Sequence, residues 1–478
     1  MNLLFVSSEA YPLIKTGGLA DVAGALPAAL ARTGVDARLL VPGYPAALDA
    51  AAKRRPAIDL GDPMGVGETR LIPAKMPDSG LPVWLIDCPA LYDRPGGPYM
   101  DTNGRDWPDN HMRFAMLSRV ATILAIGGAL IGWRPDIVHA NDWQAGLVPI
   151  YLNQWMGQRP STVFTIHNLQ FQGLFDASVV PAVGLGAENF AVDGVEYHGM
   201  VSYMKAGLQY ADRLTTVSPT YAREIQTEAF GGGLHGVLRE RATDLTGILN
   251  GADYDLWNPA TDPILPGHFS ARKLDGKAAC KAALQKEMGL EEDPRAPLIG
   301  VVSRFSEQKG LDLVLDVIEA VQPEGAQLVV VGTGDPALEQ AYAQATKVRP
   351  GRVAAYIGYD EELAHRVLAG CDILAVPSRF EPCGLTQIYA LRYGTLPVVR
   401  RTGGLADTVV DISEEPKRGT GFLFEQPTAE MLLATLRRAM DLYLREKDWQ
   451  AAIRRAMNQD FGWDRAAVRY LDLYDTLT

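Results

Sequence analysis

Short apolar runs alternate with longer stretches of helical spacing along most of the chain. Residues 2–7 predict a strand, and a helix from about Asp21 to Arg32 follows, ended by Gly34. Residues 37–41 and 83–86 predict further strands. Residues 136–139 and 162–166 predict two more, flanking a helix near 145–155. Residues 213–217 lead into Ser218-Pro219, a capping residue and a first-turn proline that open another helix. This alternation predicts βαβ units and a parallel sheet.

The pattern stops at residues 250–270, a stretch rich in Pro, Asp, Asn and Gly that reads as a loop or linker. It then restarts. Strands are predicted at 298–303, 327–331, 353–357, 373–376 and 396–399, with a helix at 311–321 and a mostly helical stretch at 431–477. Two α/β domains follow, at 1–250 and 251–459, and residues 460–478 are expected to cross back and pack on the first. The hexapeptide TGGLAD occurs at 16–21 and again at 402–407, each time after a basic residue, Lys15 or Arg401. An identical segment in matching context favours duplication of one α/β unit. Two parallel α/β domains facing each other would leave a cleft at the carboxyl ends of their strands, where ligands bind.

Length fits two domains: 478 residues exceed one ordinary hydrophobic core. The net charge of −12 argues against a broad electrostatic grip on nucleic acid or on an anionic membrane. Four scattered cysteines without a CxxC pair disfavour a disulfide framework or a zinc cluster. The N-terminus lacks a basic region and carries Glu9 early, which disfavours a secretory signal. The apolar run 120–133 is too short to span a bilayer. A cytoplasmic enzyme is the expectation.

Four segments carry candidate chemistry. KTGGLADV (15–22) follows the first strand and opens a helix: Gly17 and Gly18 allow close approach of a ligand, the helix start offers N–H groups to a phosphate, and Lys15 adds a charge. It is neither GxGxxG nor a P-loop. In VSRFSEQKGLDL (302–313), Arg304 and Lys309 share one short loop, an arrangement that suits a diphosphate, the alternative being two solvated surface cations. In SRFEPCGLTQ (378–387), Pro382 and Gly384 fix Glu381 in place, and the backbone from Gly384 through Leu385 and Thr386 opens a helix toward phosphate. The Cys383 thiol there reads as packing or scaffolding. Finally, His139, Asn141, Asp142 and Trp143 end one strand and His167-Asn168 a neighbouring one, groups suited to sugar hydroxyls. His139 reads equally well as a core histidine. No metal-ligand pattern is completed, and no metal is expected.

Taken together, KTGGLADV (15–22), HANDW (139–143), TIHN (165–168), ILNGAD (248–253), SRFSEQKG (303–310), RFEPCGLTQ (379–387) and RRTGGLADTV (400–409) resemble the bacterial glycogen synthase and plant starch synthase family. The resemblance runs from the first strand to the C-terminal helix. It implies a GT-B fold, two Rossmann-like domains with the active site between them. It also implies ADP-glucose as donor, an α-1,4-glucan (glycogen) as acceptor, retention at the anomeric carbon, and no cofactor or metal. By resemblance, Lys15 and Gly18 touch the donor, Arg304 and Lys309 neutralise its diphosphate, and Tyr359 stacks on adenine. Leu385 and Thr386 donate backbone N–H groups to phosphate, with Cys383 and Gly384 in the same donor-binding loop. Glu381 and His167 contact the glucosyl ring, with Asp142 and Asn250 nearby. Glu381, Lys309, Arg304, His167 and Lys15 are the catalytic candidates. One departure stands out: the wider GT-B group carries a second Glu eight residues after the first, and position 389 here is Tyr.

No convincing carboxylate nucleophile is present, so a front-face displacement is expected, in which the leaving phosphate helps deprotonate the acceptor. Three rivals remain open: a UDP-glucose-dependent or other-acceptor GT-B enzyme, a non-catalytic glucan-binding protein, and a nicotinamide oxidoreductase, the last disfavoured by the missing GxGxxG. Oligomeric state is not legible.

Overall fold

The apolar runs form strands buried on both faces, as in parallel sheets covered by helices. In the computed structural model, which describes residues 1–321 and 324–478, the chain divides into two units: Met1–Gly251 with Trp463–Thr478, and Ala252–Gly462.

The first unit contains β1 (Asn2–Val6), β2 (Asp36–Pro42), β3 (Ile58–Asp59), β4 (Arg70–Lys75), β5 (Pro82–Asp87), β6 (Ile137–Asn141), β7 (Ser161–Ile166), β8 (Leu174–Asp176), β9 (Glu196–Tyr197), β10 (Met200–Ser202), β11 (Arg213–Thr216) and β12 (Leu245–Gly247). The main sheet runs β12-β11-β7-β6-β1-β2-β5-β4-β3. It is parallel from β12 to β5, and β4 and β3 add an antiparallel edge. The winding reverses between β1 and β6. A doubly wound sheet binds its ligands at such a reversal. β8, β10 and β9 form a small antiparallel sheet.

The second unit contains β13 (Leu298–Val302), β14 (Gln327–Gly332), β15 (Val353–Ile357), β16 (Ile373–Val376), β17 (Leu396–Arg400) and β18 (Phe422–Phe424). Their order is β15-β14-β13-β16-β17-β18, all parallel, with the reversal between β13 and β16.

Several elements depart from the sequence expectations. The helix Asn110–Ile126 is buried nearly all round, so it carries no amphipathic stripe to read. The helix expected at 145–155 is a short turn, Trp143–Ala145, followed by Val148–Asn153, with Pro149 in its first turn. Ser218 caps its helix, accepting the Tyr221 N–H at 3.0 Å. The segment 250–270 is irregular yet anchored. Trp257 lies stacked between His365 and Tyr389, ring centroids 3.6 and 4.1 Å away. Asp262 accepts the Tyr393 hydroxyl at 2.5 Å and lies 2.7 Å from His365 Nδ1.

The duplication reading of TGGLAD needs correction. The first copy follows β1, at the winding reversal of its sheet, whereas the second follows β17, one strand beyond the reversal in the other sheet. The copies do not occupy equivalent places. The last helix, Trp463–Tyr474, belongs to the first unit: the Tyr474 hydroxyl is 2.7 Å from His139 Nδ1. Among the described residues, no helix is long and apolar enough to cross a membrane.

Candidate active site

In the first unit, β1 feeds a loop that Glu9 organises from beneath. Glu9 is buried, and its carboxylate accepts the backbone N–H of Thr16, that of Gly17 at 3.4 Å, and the Tyr99 hydroxyl at 3.0 Å. Burial raises its pKa against the pull of these donors. The loop delivers Lys15 to the surface, where its Nζ pairs with Asp21 at 2.8 Å. Gly17 precedes the helix Gly18–Arg32 without a side-chain cap, and a Cβ added at Gly17 or Gly18 would meet nothing within 4 Å. Open space thus borders a helix start.

Beside it, β6 is followed by Asp142, whose φ of 58° is strained for a non-glycine residue. Asp142 is 6% exposed, its Oδ1 has no hydrogen-bond partner, and burial holds its pKa well above the usual range. An orphaned buried oxygen on a strained residue marks a site built for something other than stability. Asn141 donates from Nδ2 to the carbonyls of Val6 (3.1 Å) and His139 (3.2 Å), which turns its Oδ1 toward His167 Nε2 at 3.0 Å. His167, pushed down to about 3 by burial, is neutral at ordinary pH. The network therefore assigns the proton to Nε2 and leaves Nδ1 as an acceptor. His139 is a core residue, held between Tyr474 and Thr165. Asn250 is buried with an unpartnered Oδ1.

In the second unit, the loops after β13 and β16 meet at the winding reversal. Lys309 Nζ lies 2.6 Å from Glu381 Oε2, which also accepts the Ser378 hydroxyl at 2.9 Å. Glu381 is 5% exposed. Gln308 and Arg379 tie the two loops together, Arg379 N–H donating to Gln308 O at 2.7 Å. Arg304 is exposed, and among the described residues its guanidinium makes no ion pair. Cys383 is buried, Gly384 takes φ 73°, and Leu385 precedes the helix Thr386–Arg392 without a side-chain cap. Tyr359 is 72% exposed, its hydroxyl 2.7 Å from Glu361.

The second TGGLAD supports this loop. The Gly404 N–H donates to the carbonyls of Glu381 and Pro382, each at 3.1 Å. A Cβ on Gly403 would collide with the Glu381 carbonyl, and one on Gly404 with the Cys383 carbonyl. Arg400 donates to the Arg379 carbonyl.

The predicted residues thus fall into two groups, Lys15, Gly18, Asp142, His167 and Asn250 in the first unit and Arg304, Lys309, Tyr359, Glu381, Cys383, Gly384, Leu385 and Thr386 in the second. Sequence reasoning missed Glu9 and the supporting role of Gly403 and Gly404. Among the described residues, no three His, Cys, Asp or Glu side chains gather as a metal site.

Comparison with known proteins supports the glycosyltransferase reading over the non-catalytic and oxidoreductase ones. The starch synthase catalytic domain family matches residues 2–240, and glycosyl transferases group 1 matches residues 285–456. The glycogen synthase of Paramagnetospirillum magneticum is 53% identical, covering 100% of this chain and 98% of the relative. That of Rhodospirillum rubrum is 51% identical, with the same coverage. The chain belongs to the glycogen and starch synthase family. The catalytic domain of starch synthase IV from Arabidopsis thaliana, solved with ADP and acarbose bound, matches with a TM-score of 0.89 at 32% identity, over 99% of this chain and 98% of that one. As in that family, the two parallel-sheet units constitute a GT-B fold, and the chain is a glycosyltransferase with glycogen synthase function. The two hexapeptide copies sit in different surroundings, one glycine pair facing open space and the other packed against backbone.

Proposed function

We propose that the chain transfers glucose from ADP-glucose to the non-reducing end of an α-1,4-glucan with retention of configuration and no metal. The observation that carries this reading is the meeting of Lys309 with Glu381 at the winding reversal, beside Arg304 and an uncapped helix start. Lys309 and Arg304 bind the diphosphate, the N–H groups of Leu385 and Thr386 bind its distal phosphate, and Tyr359 stacks on adenine. Lys15 and the Gly17–Gly18 turn add contacts from the first unit. Asp142 Oδ1, His167 Nδ1 and Asn250 Oδ1 accept from hydroxyls of glucose, and Glu381 contacts the ring.

In the reaction, the bond between C1 of glucose and the phosphate oxygen breaks, and C1 bonds to O4 of the acceptor. The acceptor hydroxyl proton passes to the departing ADP. The cations stabilise the charge growing on ADP, the task a metal performs elsewhere. The carboxylates support a front-face route: burial favours neutral Asp142, a poor nucleophile in that form, and Glu381 is already engaged by Lys309.

The test is an assay with glycogen, supplied in parallel with ADP-glucose and UDP-glucose, with and without EDTA. The expected result is a clear preference for ADP-glucose at a rate indifferent to EDTA. A preference for UDP-glucose would overturn the donor assignment, and loss of rate in EDTA the metal-free mechanism.

A further inference from the structure

A cavity of about 340 Å³ lies in the first unit beside the loop that carries Lys15. Its lining includes Ile14, the residue before Lys15, and three aromatic rings, Tyr44, Tyr92 and Trp107. Two buried polar side chains reach it. Tyr44 is 3% exposed, and its hydroxyl has no hydrogen-bond partner. Arg113 is 1% exposed: Nε donates to the Leu91 carbonyl (2.9 Å), and Nη1 to the Pro98 carbonyl (2.7 Å) and Asn110 Oδ1 (2.8 Å). Its Nη2 has no hydrogen bond among the described residues.

Native interiors rarely leave a hydroxyl like that of Tyr44 unpaired, because a buried hydroxyl without a partner forfeits its bonds to water. A core tyrosine with no partner would be replaced at a gain by phenylalanine. Its presence beside a cavity therefore points to a ligand.

The walls indicate what kind. Arg94 is already bound by both Asp109 oxygens, at 2.7 and 2.5 Å, and Asp93 lies on the rim, so the cavity carries no surplus of positive charge for an anion. Trp107 is held in place by its Nε1 donating to the Gly97 carbonyl at 3.2 Å. Aromatic faces take the C–H faces of a sugar ring, while a hydroxyl and a guanidinium edge take its hydroxyls. The cavity also adjoins the cluster around Glu9: that carboxylate's charge acts on the Tyr44 phenol, and burial raises the phenol above its usual range.

We propose that this cavity is an acceptor subsite, holding a glucosyl unit of the α-glucan against Tyr44, Trp107 and Arg113. The inference rests on the reading that the chain elongates an α-glucan.

The experiment compares the full-length protein with Tyr44→Phe and Trp107→Ala. Maltotetraose serves as acceptor and ADP-glucose as donor, ADP binding is measured by calorimetry, and thermal melting is recorded. Tyr44→Phe should melt no lower than the parent, since it removes only an unpartnered oxygen. Its KM for maltotetraose should rise about fivefold, the worth of one hydrogen bond. Trp107→Ala should raise that KM by about tenfold or more. ADP affinity should not change in either. An unchanged maltotetraose KM in Tyr44→Phe overturns the proposal even if Trp107→Ala fails to fold. Weakened ADP binding in Tyr44→Phe overturns it too, by assigning the cavity to the donor. If the parent transfers no glucose from ADP-glucose to maltotetraose, the functional reading fails instead.

Discussion

Lys309 and Glu381 form a nearly enclosed ion pair, and such pairs are asymmetric in their energetics. The pair itself adds little to stability, but removing one partner leaves the other buried and uncompensated. Lys309→Ala should therefore lower kcat/KM by about two orders of magnitude, as expected for a lost charge on the leaving diphosphate. It should also lower the melting temperature. Adding Glu381→Gln to that variant should restore the melting temperature and not the rate. Differential calorimetry and steady-state kinetics on the three proteins would check this, and near-parental activity of Lys309→Ala would refute its role. His139 makes a different prediction, about pH. Its folded pKa, about 3, lies below the unfolded value of about 6.5. Below pH 6.5 the unfolded chain takes up a proton that the buried imidazole refuses, so this contribution is present above 6.5 and is lost as pH falls toward 3. Burial raises Glu9 and Asp142, which act in the opposite sense, so the informative quantity is a difference. Melting curves of His139→Gln between pH 7.5 and 5 should fall less steeply with acid than those of the parent.

At the scale of elements, the two TGGLAD copies separate an open helix start from internal support. Gly18→Ala meets no protein atom, so it should leave the melting temperature unchanged and raise the donor KM. Gly404→Ala pushes against the Cys383 carbonyl and breaks the bond that positions Glu381. It should lower kcat by about tenfold or more at a nearly constant acceptor KM. Kinetics of the two alanine variants side by side would check the contrast. The central strands of both sheets were legible as short apolar runs bounded by turn residues, whereas β3, β4, β12 and β18 at or next to the sheet edges were not, being two or three residues long or, in β4, interrupted by Arg70, Pro73 and Lys75. Both winding reversals carry glycine-punctuated loops, which drew attention to Lys15, Arg304 and Glu381. What stayed hidden depends on distance along the chain. Glu9 reads as an isolated acid until Tyr99 and the Thr16 and Gly17 amides close around it. Lys309 and Glu381 are 72 residues apart, and only the sheet order brings them together. The helix Asn110–Ile126 escaped notice because full burial erases periodicity.

For the molecule as a whole, the decisive feature is that the first unit is discontinuous. Its last helix buries Trp463, Tyr470 and Tyr474, and Ser161 donates to the Leu477 carbonyl at 3.1 Å. Deleting residues 463–478 should lower the melting transition of the first unit sharply and leave that of the second in place, because the second unit keeps its own core. Two-transition calorimetry would resolve the effects. The same discontinuity sets a timetable for birth on the ribosome. The unit begun first must wait, its groove for that helix uncovered, through synthesis of the whole inserted unit until residues 463–478 are made. A stop introduced just ahead of residue 463 would thus yield one unit with its core intact and one with its interior exposed to chaperones and proteases.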